Sequence, residues 1–588
     1  MSRFVRFPLF LFVLVILCAP AWAAIDVRIM LPMTDGVRLD TRVARPDTGT
    51  WPVLLYRTPY DELDGLDVSG YVSNNVCVVL QNCRGRFNSE GDNLPFIADG
   101  WGEHQDGLDT VNWILAQSWC NDKICTVGGS ARGITQNMLA GADPPNIYAQ
   151  YISAATANMY FGTVTIGGAF RYEMVHNWLV GNGFDPLALP LFVEHSSYDS
   201  FWEGFNMTAR QNLRNYATLN EAGWYDCFQQ ANIDNFVTIR ESGGPIAKEH
   251  AKLVISATNH GGTQTGAFHF PPSALGVPSQ YSQTQMLAHY IKDVNNGFEN
   301  LPRVAYYMMG DLATPGAPGN EWRYADDWPV PATNASFYLH SDETLSTAPP
   351  GKDEFSITYA YDPTDPVLTI GGANLTIEKG NYDQRPVESR PDVILFETDP
   401  LPAPVEVTGR IWVYLYASSD ALDTDFTAKL TDVYPDGTSV IICDGIRRAR
   451  FRDSYTDPQL MIPGTIYRFE IDLWSTANVF NEGHQIRVAI SSSNYPRFEP
   501  NPNTGAAFML EDPNTAVANN TLYMDSVHPS AIVLPLTGPD SNHNGIPDIL
   551  DQSPPNPDGV PVHGSAVAAL FILLLARRRL GGISHGPG

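Results

Sequence analysis

The chain has 588 residues, 44% of them hydrophobic and 17% charged, with a net charge of −28 at pH 7. That apolar share excludes a disordered chain, and the length allows several domains. The acidity excludes nucleic acid and anionic lipid as partners, because both repel a negative surface.

The opening segment, MSRFVRFPLFLFVLVILCAPAWAA, joins a basic start at Arg3 and Arg6 to an apolar stretch and a small-x-small site at Ala21-Trp22-Ala23. This is the pattern of a signal peptide over residues 1–23, too short for a span, and it implies export. Six cysteines follow it: Cys77, Cys83, Cys120, Cys125, Cys227 and Cys443. An even count in an exported chain permits disulfides, and Cys120 with Cys125, bracketing NDKI, is the expected pair. No cysteine or histidine spacing suits zinc.

Residues 24–145 alternate strand and helix signals. PVLLYRTPY reads as a strand entering a turn, and VCVVLQNCRG as a β-branched run ending at Gly85. DGLDTVNWILAQSW places Leu108, Val111, Ile114 and Leu115 at helical spacing, and ICTVGGS is another short strand. Such alternation predicts a parallel sheet with helices on its faces. Residues 146–245 are dense in aromatics and helix-like, as a helical cap inserted between sheet strands would be. The sheet resumes over 246–330, at HAKLVISAT and RVAYYMMG. From 331 to 535 short alternating runs such as RIWVYLYASS and TIYRFEIDLW, parted by Pro, Gly, Asp and Asn, predict a β-sandwich or jelly roll.

Within 536–553, DSNHNGIPDILD matches a twelve-residue calcium loop. Asp540, Asn542, Asn544, Asp548 and Asp551 supply oxygen ligands, with the Ile546 carbonyl, and Gly545 sits at the turn. The expectation is one structural Ca²⁺, against a solvated acidic turn; catalysis needs no cofactor. Residues 554–588 hold a Pro-rich linker and AVAALFILLLARRRL. Its apolar run spans about 17 Å as a helix, short of the ~30 Å hydrocarbon core. It resembles the sorting tails of bacterial surface proteins. Membrane contact is expected only through this tail and the leader, and the destination is the cell envelope or the exterior.

The chemistry centres on VGGSARGITQ at 127–136. Gly128, Ser130 and Gly133 give G-x-S-x-x-G between an apolar strand and an amphipathic helix. A nucleophilic serine sits on such a turn, although the usual pattern has glycine where this chain has Arg132. The serine needs a base, a carboxylate to orient it, and donors for the oxyanion. His260 follows a strand in the turn Asn259-His260-Gly261-Gly262; His250, His269 and His289 sit in less suitable contexts. Asp226 in GWYDCF is one candidate carboxylate, with Asp185, Asp199 and Asp234 beside it. Spacing alone does not choose among them.

QNCRGRFNSEGD and DGLDTVNWILAQSWCNDKICTVGGSARG resemble the signature of the Xaa-Pro dipeptidyl-peptidase superfamily, nearest to its cocaine-esterase-like (CocE/NonD) hydrolases. The likeness continues through RTPYD, HSSYDSFW, GWYD, NHGG and EWRYADDWP, over roughly residues 26–535. It implies an α/β-hydrolase core with a helical cap and a C-terminal all-β jelly roll of galactose-binding-like type. It also implies Ser130 as nucleophile, His260 as base, Asp226 as its orienting carboxylate, and an oxyanion hole from the Ala131 N–H and the Tyr60 hydroxyl. Trp224 and Tyr225 are then packing residues. The amino-acid ester hydrolases of this superfamily carry acidic residues just after the triad Asp; here Phe228 and Gln229 stand there. Arg132 is expected to be a structural pair on the helix face. The reading is a secreted serine hydrolase cleaving small-molecule esters or amides through an acyl-enzyme. Its alternatives are an Xaa-Pro dipeptidyl-peptidase acting on peptides and, from another class, a catalytically silent surface-binding protein.

Overall fold

The computed structural model describes residues 24–509 and 513–538. The leader, the calcium-type loop at 540–551 and the sorting-like tail lie outside the described residues. No helix among the described residues is long and apolar enough to cross a membrane.

A ten-stranded sheet organises the first part of the chain. Its strands are β1 (Ala24–Pro32), β2 (Arg38–Pro46), β3 (Trp51–Thr58), β4 (Cys77–Asn82), β5 (Cys120–Gly129), β6 (Ile147–Ser153), β7 (Ala217–Tyr225), β8 (Ala251–Asn259), β9 (Val304–Met308) and β10 (Glu321–Ala325). They lie in the order β1-β2-β4-β3-β5-β6-β7-β8-β9-β10. The run from β4 to β9 is parallel, and antiparallel strands close both edges. β4 and β8 are buried along their whole length, as strands covered on both faces must be. On one face α1 (Asp106–Leu115) and α2 (Ala131–Gly141) pack Val111, Ile114, Ile134 and Met138 against Leu55 and Val79. A helix at Gln283–Lys292 covers the other face, with Met286, Leu287 and Ile291 against Leu54, Val78 and Leu80.

The segment expected as a cap, 146–245, is only partly one. β6 and β7 lie inside it and belong to the middle of the sheet, as does the covering helix Gln229–Ser242. The helical insertion is the stretch between them. It contains α3 (Tyr172–Gly181), α4 (Ala188–Glu194) and shorter helical turns up to Leu213. β7 carries polar residues in a buried strand, which breaks the apolar run by which a buried strand shows in a sequence. Asn220 Oδ1 accepts from Asn235 Nδ2 at 2.8 Å, and the Tyr151 hydroxyl donates to Glu221 Oε2 at 2.6 Å. These partners satisfy groups that would otherwise oppose burial.

Residues from Thr333 onward form the β domain, a seven-stranded sheet facing a four-stranded one. Val413, Leu415, Phe426, Leu430, Phe469 and Val488 fill the space between. In Val405–Ser419 and Tyr467–Phe480 buried and partly exposed residues alternate over much of their length, the period-two pattern of sandwich strands.

All six cysteines are free thiols and all are buried. The expected Cys120–Cys125 pair is not formed. Cys120 pairs opposite Trp51 and Ile124 opposite Val53, so residues 121–123 bulge out of β5 and the two cysteines stand in the strand on either side of them, unbonded.

Candidate active site

β5 runs out at Gly129, and the chain turns at Ser130 into α2. Ser130 has φ 58° and ψ −132°, a conformation that costs a non-glycine residue roughly 1–3 kcal/mol. Its N–H donates to Ser153 O at 2.9 Å, which pins the turn to the end of β6. The flanking glycines have separate reasons. Gly128 has φ 152°, and a Cβ there would stand 2.6 Å from Arg132 Cβ. A Cβ on Gly133 would stand 2.5 Å from Ala155 Cβ. The second glycine therefore sits where α2 touches the chain leaving β6, which accounts for G-x-S-x-x-G. Arg132, at the usual glycine position, reaches away from the serine, to the Tyr56 hydroxyl and to Glu62 Oε1 at 3.0 Å.

His260 stands directly after β8, and Asp226 directly after β7. His260 Nε2 lies 3.1 Å from Ser130 Oγ, and Nδ1 lies 2.8 Å from Asp226 Oδ2. Asp226 is 2% exposed, and its Oδ1 accepts from the Phe228 N–H at 2.7 Å. The other carboxylates are engaged elsewhere. Asp185 accepts from Leu187 N–H, Asp199 pairs with His195, and Asp234 pairs with Arg410. Of the other histidines, His250 and His289 both face Glu299.

Burial works against a charged imidazole at His260, but the charges and hydrogen bonds of Cys227 and Asp226 outweigh it and raise the group well above its ordinary 6.5. The Cys227 thiol is itself pushed up by burial. Asp226, Cys227 and His260 bring ligand atoms within 4.8 Å of one another, the one such grouping among the described residues. It is the hydrogen-bonded relay itself, and a cation there would displace the proton shared by Asp226 and His260.

Ala131 opens α2, so its N–H has no acceptor within the helix. Tyr60 follows β3. Its hydroxyl accepts from Trp178 Nε1 of α3 at 3.1 Å, which leaves the phenolic proton free to donate. Trp178 has no signal in the sequence, because the contact joins residues 118 apart. Trp224 Nε1 donates to Tyr307 O at 2.7 Å, and the Tyr225 hydroxyl donates to Ile441 O at 3.1 Å. Both are packing residues that fix the end of β7.

A pocket opens beside Ser130, walled by Phe96, Met159, Met174, Trp178, Phe228 and Leu375. No charged side chain is among its lining residues. Gln229 turns away, donating to Ser475 O at 2.6 Å. The arrangement can deliver a hydroxyl nucleophile to a carbonyl carbon whose acyl group is apolar.

Comparison with known proteins gives the family. The family model of X-Pro dipeptidyl-peptidase (S15 family) matches residues 35–184, and that of the X-Pro dipeptidyl-peptidase C-terminal non-catalytic domain matches residues 296–533. Cocaine esterase from Rhodococcus sp. (strain MB1 Bresler) is 35% identical over 584 residues, covering 86% of this chain and 98% of the esterase. Two solved structures share the fold at 23% identity. An aminopeptidase from the marine sediment archaeon Thaumarchaeota archaeon has a TM-score of 0.73 over 87% of this chain and 96% of its own. An α-amino acid ester hydrolase has a TM-score of 0.71 over 87% of this chain and 97% of its own. The chain therefore belongs to the X-Pro dipeptidyl-peptidase family, among its cocaine-esterase-like CocE/NonD hydrolases, and is a serine hydrolase.

Proposed function

We propose that the protein is an exported esterase that works through an acyl-enzyme. The observation that carries this reading is the continuous relay from Ser130 through His260 to Asp226 at the mouth of an uncharged apolar pocket. Ser130 Oγ attacks the ester carbonyl while His260 Nε2 takes its proton. Asp226 holds the Nδ1 proton and stabilises the imidazolium. The Ala131 N–H and the Tyr60 O–H donate to the oxygen as it gains charge. His260 then protonates the departing alcohol, and a water activated by the same nitrogen releases the acid.

Dipeptide release from Xaa-Pro peptides is the second reading, favoured by the family model over 35–184. Such a substrate brings an ammonium group, whose desolvation calls for a nearby carboxylate. Phe228 and Gln229, and the uncharged wall, speak for esters instead. Export rests on the leader pattern at 1–23 and the tail, and a cleaved N-terminus found near Ala24 on secreted protein would test it.

The decisive comparison sets p-nitrophenyl butyrate against Ala-Pro-p-nitroanilide, with Ser130→Ala as control. Ester turnover is expected to exceed anilide turnover, and Ser130→Ala to lose about five to six orders of magnitude in kcat. Faster anilide turnover overturns the ester reading. An active Ser130→Ala overturns the nucleophile.

A further inference from the structure

Residues 371–381 form a loop of the β domain that reaches the active site. Its neck is closed by paired backbone bonds, Gly372 N–H to Gly380 O at 2.8 Å and Gly380 N–H to Gly372 O at 2.9 Å. Buried Asn374 braces it from inside, donating through Nδ2 to the carbonyls of Gly371 and Glu378, each at 2.7 Å. Buried Arg497 donates to Ala373 O at 2.8 Å and to Asn374 Oδ1 at 3.2 Å. The loop is thus a stiff projection of the sandwich.

It grips both sides of the site. On the cap side, buried Glu173 of α3 accepts from the N–H groups of Leu375 at 3.0 Å and Thr376 at 2.8 Å, and from the Thr376 hydroxyl at 2.8 Å. Leu375 itself lines the pocket. On the opposite side, Ala267 N–H donates to Asn381 O at 2.9 Å, and Asn381 Nδ2 donates to Phe268 O at 3.0 Å. The Thr265 hydroxyl donates to Lys379 O. Contact is so close that a Cβ at Gly380 would stand 2.0 Å from Thr265 O, and one at Gly266 would stand 1.9 Å from Asn381 Oδ1. Between His260 and this anchorage lie Gly261 and Gly262, both at positive φ with open space around them. Two glycines give the chain little stiffness of its own. The turn itself is closed by Asn259 N–H to Thr263 O at 3.0 Å and by the Thr263 hydroxyl to Asn259 Oδ1 at 2.7 Å, and the loop holds the segment that continues it, at residues 265–268.

We propose that loop 371–381 is a positioning clamp, and that Asn381 is its positioning residue for His260. One rigid body fixes the pocket wall through Leu375 and the base-bearing loop through Asn381, so acyl seating and base alignment share a frame. The proposal rests on the reading of Ser130 and His260 as nucleophile and base. It gives the C-terminal domain a share in turnover.

The test uses the full chain and p-nitrophenyl butyrate, with Asn381→Ala, Thr265→Val and Ser130→Ala side by side. Displacing a catalytic group by about 1 Å costs up to ~100-fold in rate. Asn381→Ala is expected to lower kcat by about 10- to 100-fold with KM within about two-fold. Thr265→Val, at an exposed rim, is expected to act in the same direction and less strongly. The rate of Ser130 labelling by a serine-directed phosphonate should fall in step with kcat. Wild-type kcat in both variants overturns the clamp, and so does a loss that follows only the fraction of folded protein. Full activity in Ser130→Ala would instead overturn the underlying reading of the site.

Discussion

His260 is poised between two demands. As the proposed base it must be neutral to accept the Ser130 proton, yet Cys227 and Asp226 together raise it well above 6.5 against the opposing pull of burial. A group with a raised value is protonated below that value, so the base is lost as pH falls through it. The kcat/KM of ester hydrolysis should therefore climb with pH along a limb centred above 6.5, followed in a pH-stat. Asp226→Asn should lower kcat by about 10⁴-fold, because the imidazole tautomer is no longer fixed. It should also move the limb downward, since one of the two groups that raise His260 loses its charge. A limb that stays put in Asp226→Asn would mean another group sets it.

At the scale of elements, the strand–turn–helix around Ser130 depends on small residues at two places for two reasons. Gly133→Ala would press a methyl group into Ala155 across the α2–β6 junction. Overpacking of this kind costs about 1–3 kcal/mol, and thermal melting should show it as a lowered Tm. An unchanged Tm would mean that α2 can slide. This junction also shows what was legible in the sequence. The apolar run before Ser130, the glycines and the turn at His260 are local patterns, and they marked Ser130 and His260 as candidates. β6 and β7 were not legible, because Gln150, Asn220 and Glu221 interrupt their apolar pattern. Gln150 Nε2 donates to Gln136 O at 3.0 Å, which ties this polar side chain to α2 inside the core. The choice of Asp226 over Asp185, Asp199 and Asp234 came from family likeness, since the spacing of the four along the chain does not separate them. The clamp at 371–381 left no trace in the sequence, as its partners come from segments more than a hundred residues away.

At the scale of the molecule, the hydrolase and β domains meet over buried charge. His484 of the β domain is 2% exposed. Its Nδ1 lies 2.8 Å from Asp432 Oδ1, and its Nε2 lies 3.6 Å from Asp311 Oδ2 in the loop after β9. The Tyr434 ring packs 4.3 Å away. Burial alone would lower His484, but the hydrogen bond and charge of Asp432, with those of Asp311, raise it above 6.5. Such a group contributes stability that is full below its unfolded value and is lost as pH rises through its folded value. The Tm should accordingly decline as pH rises beyond 6.5, and His484→Gln should flatten that decline. The same variant should cost about 3–5 kcal/mol at low pH, because it leaves Asp432 without its counter-charge. A pH dependence identical in variant and wild type would place the sensitivity elsewhere.

The six buried thiols have a consequence of their own. In the native molecule none of these six thiols meets solvent well enough for alkylation, whereas each becomes reactive once its surroundings open. Cys77, Cys83, Cys120 and Cys125 stand on or beside the central strands, Cys227 stands next to the relay, and Cys443 stands in the sandwich. The molecule thus carries reporters in both domains, and the order in which mass shifts appear under iodoacetamide would tell which domain gives way first.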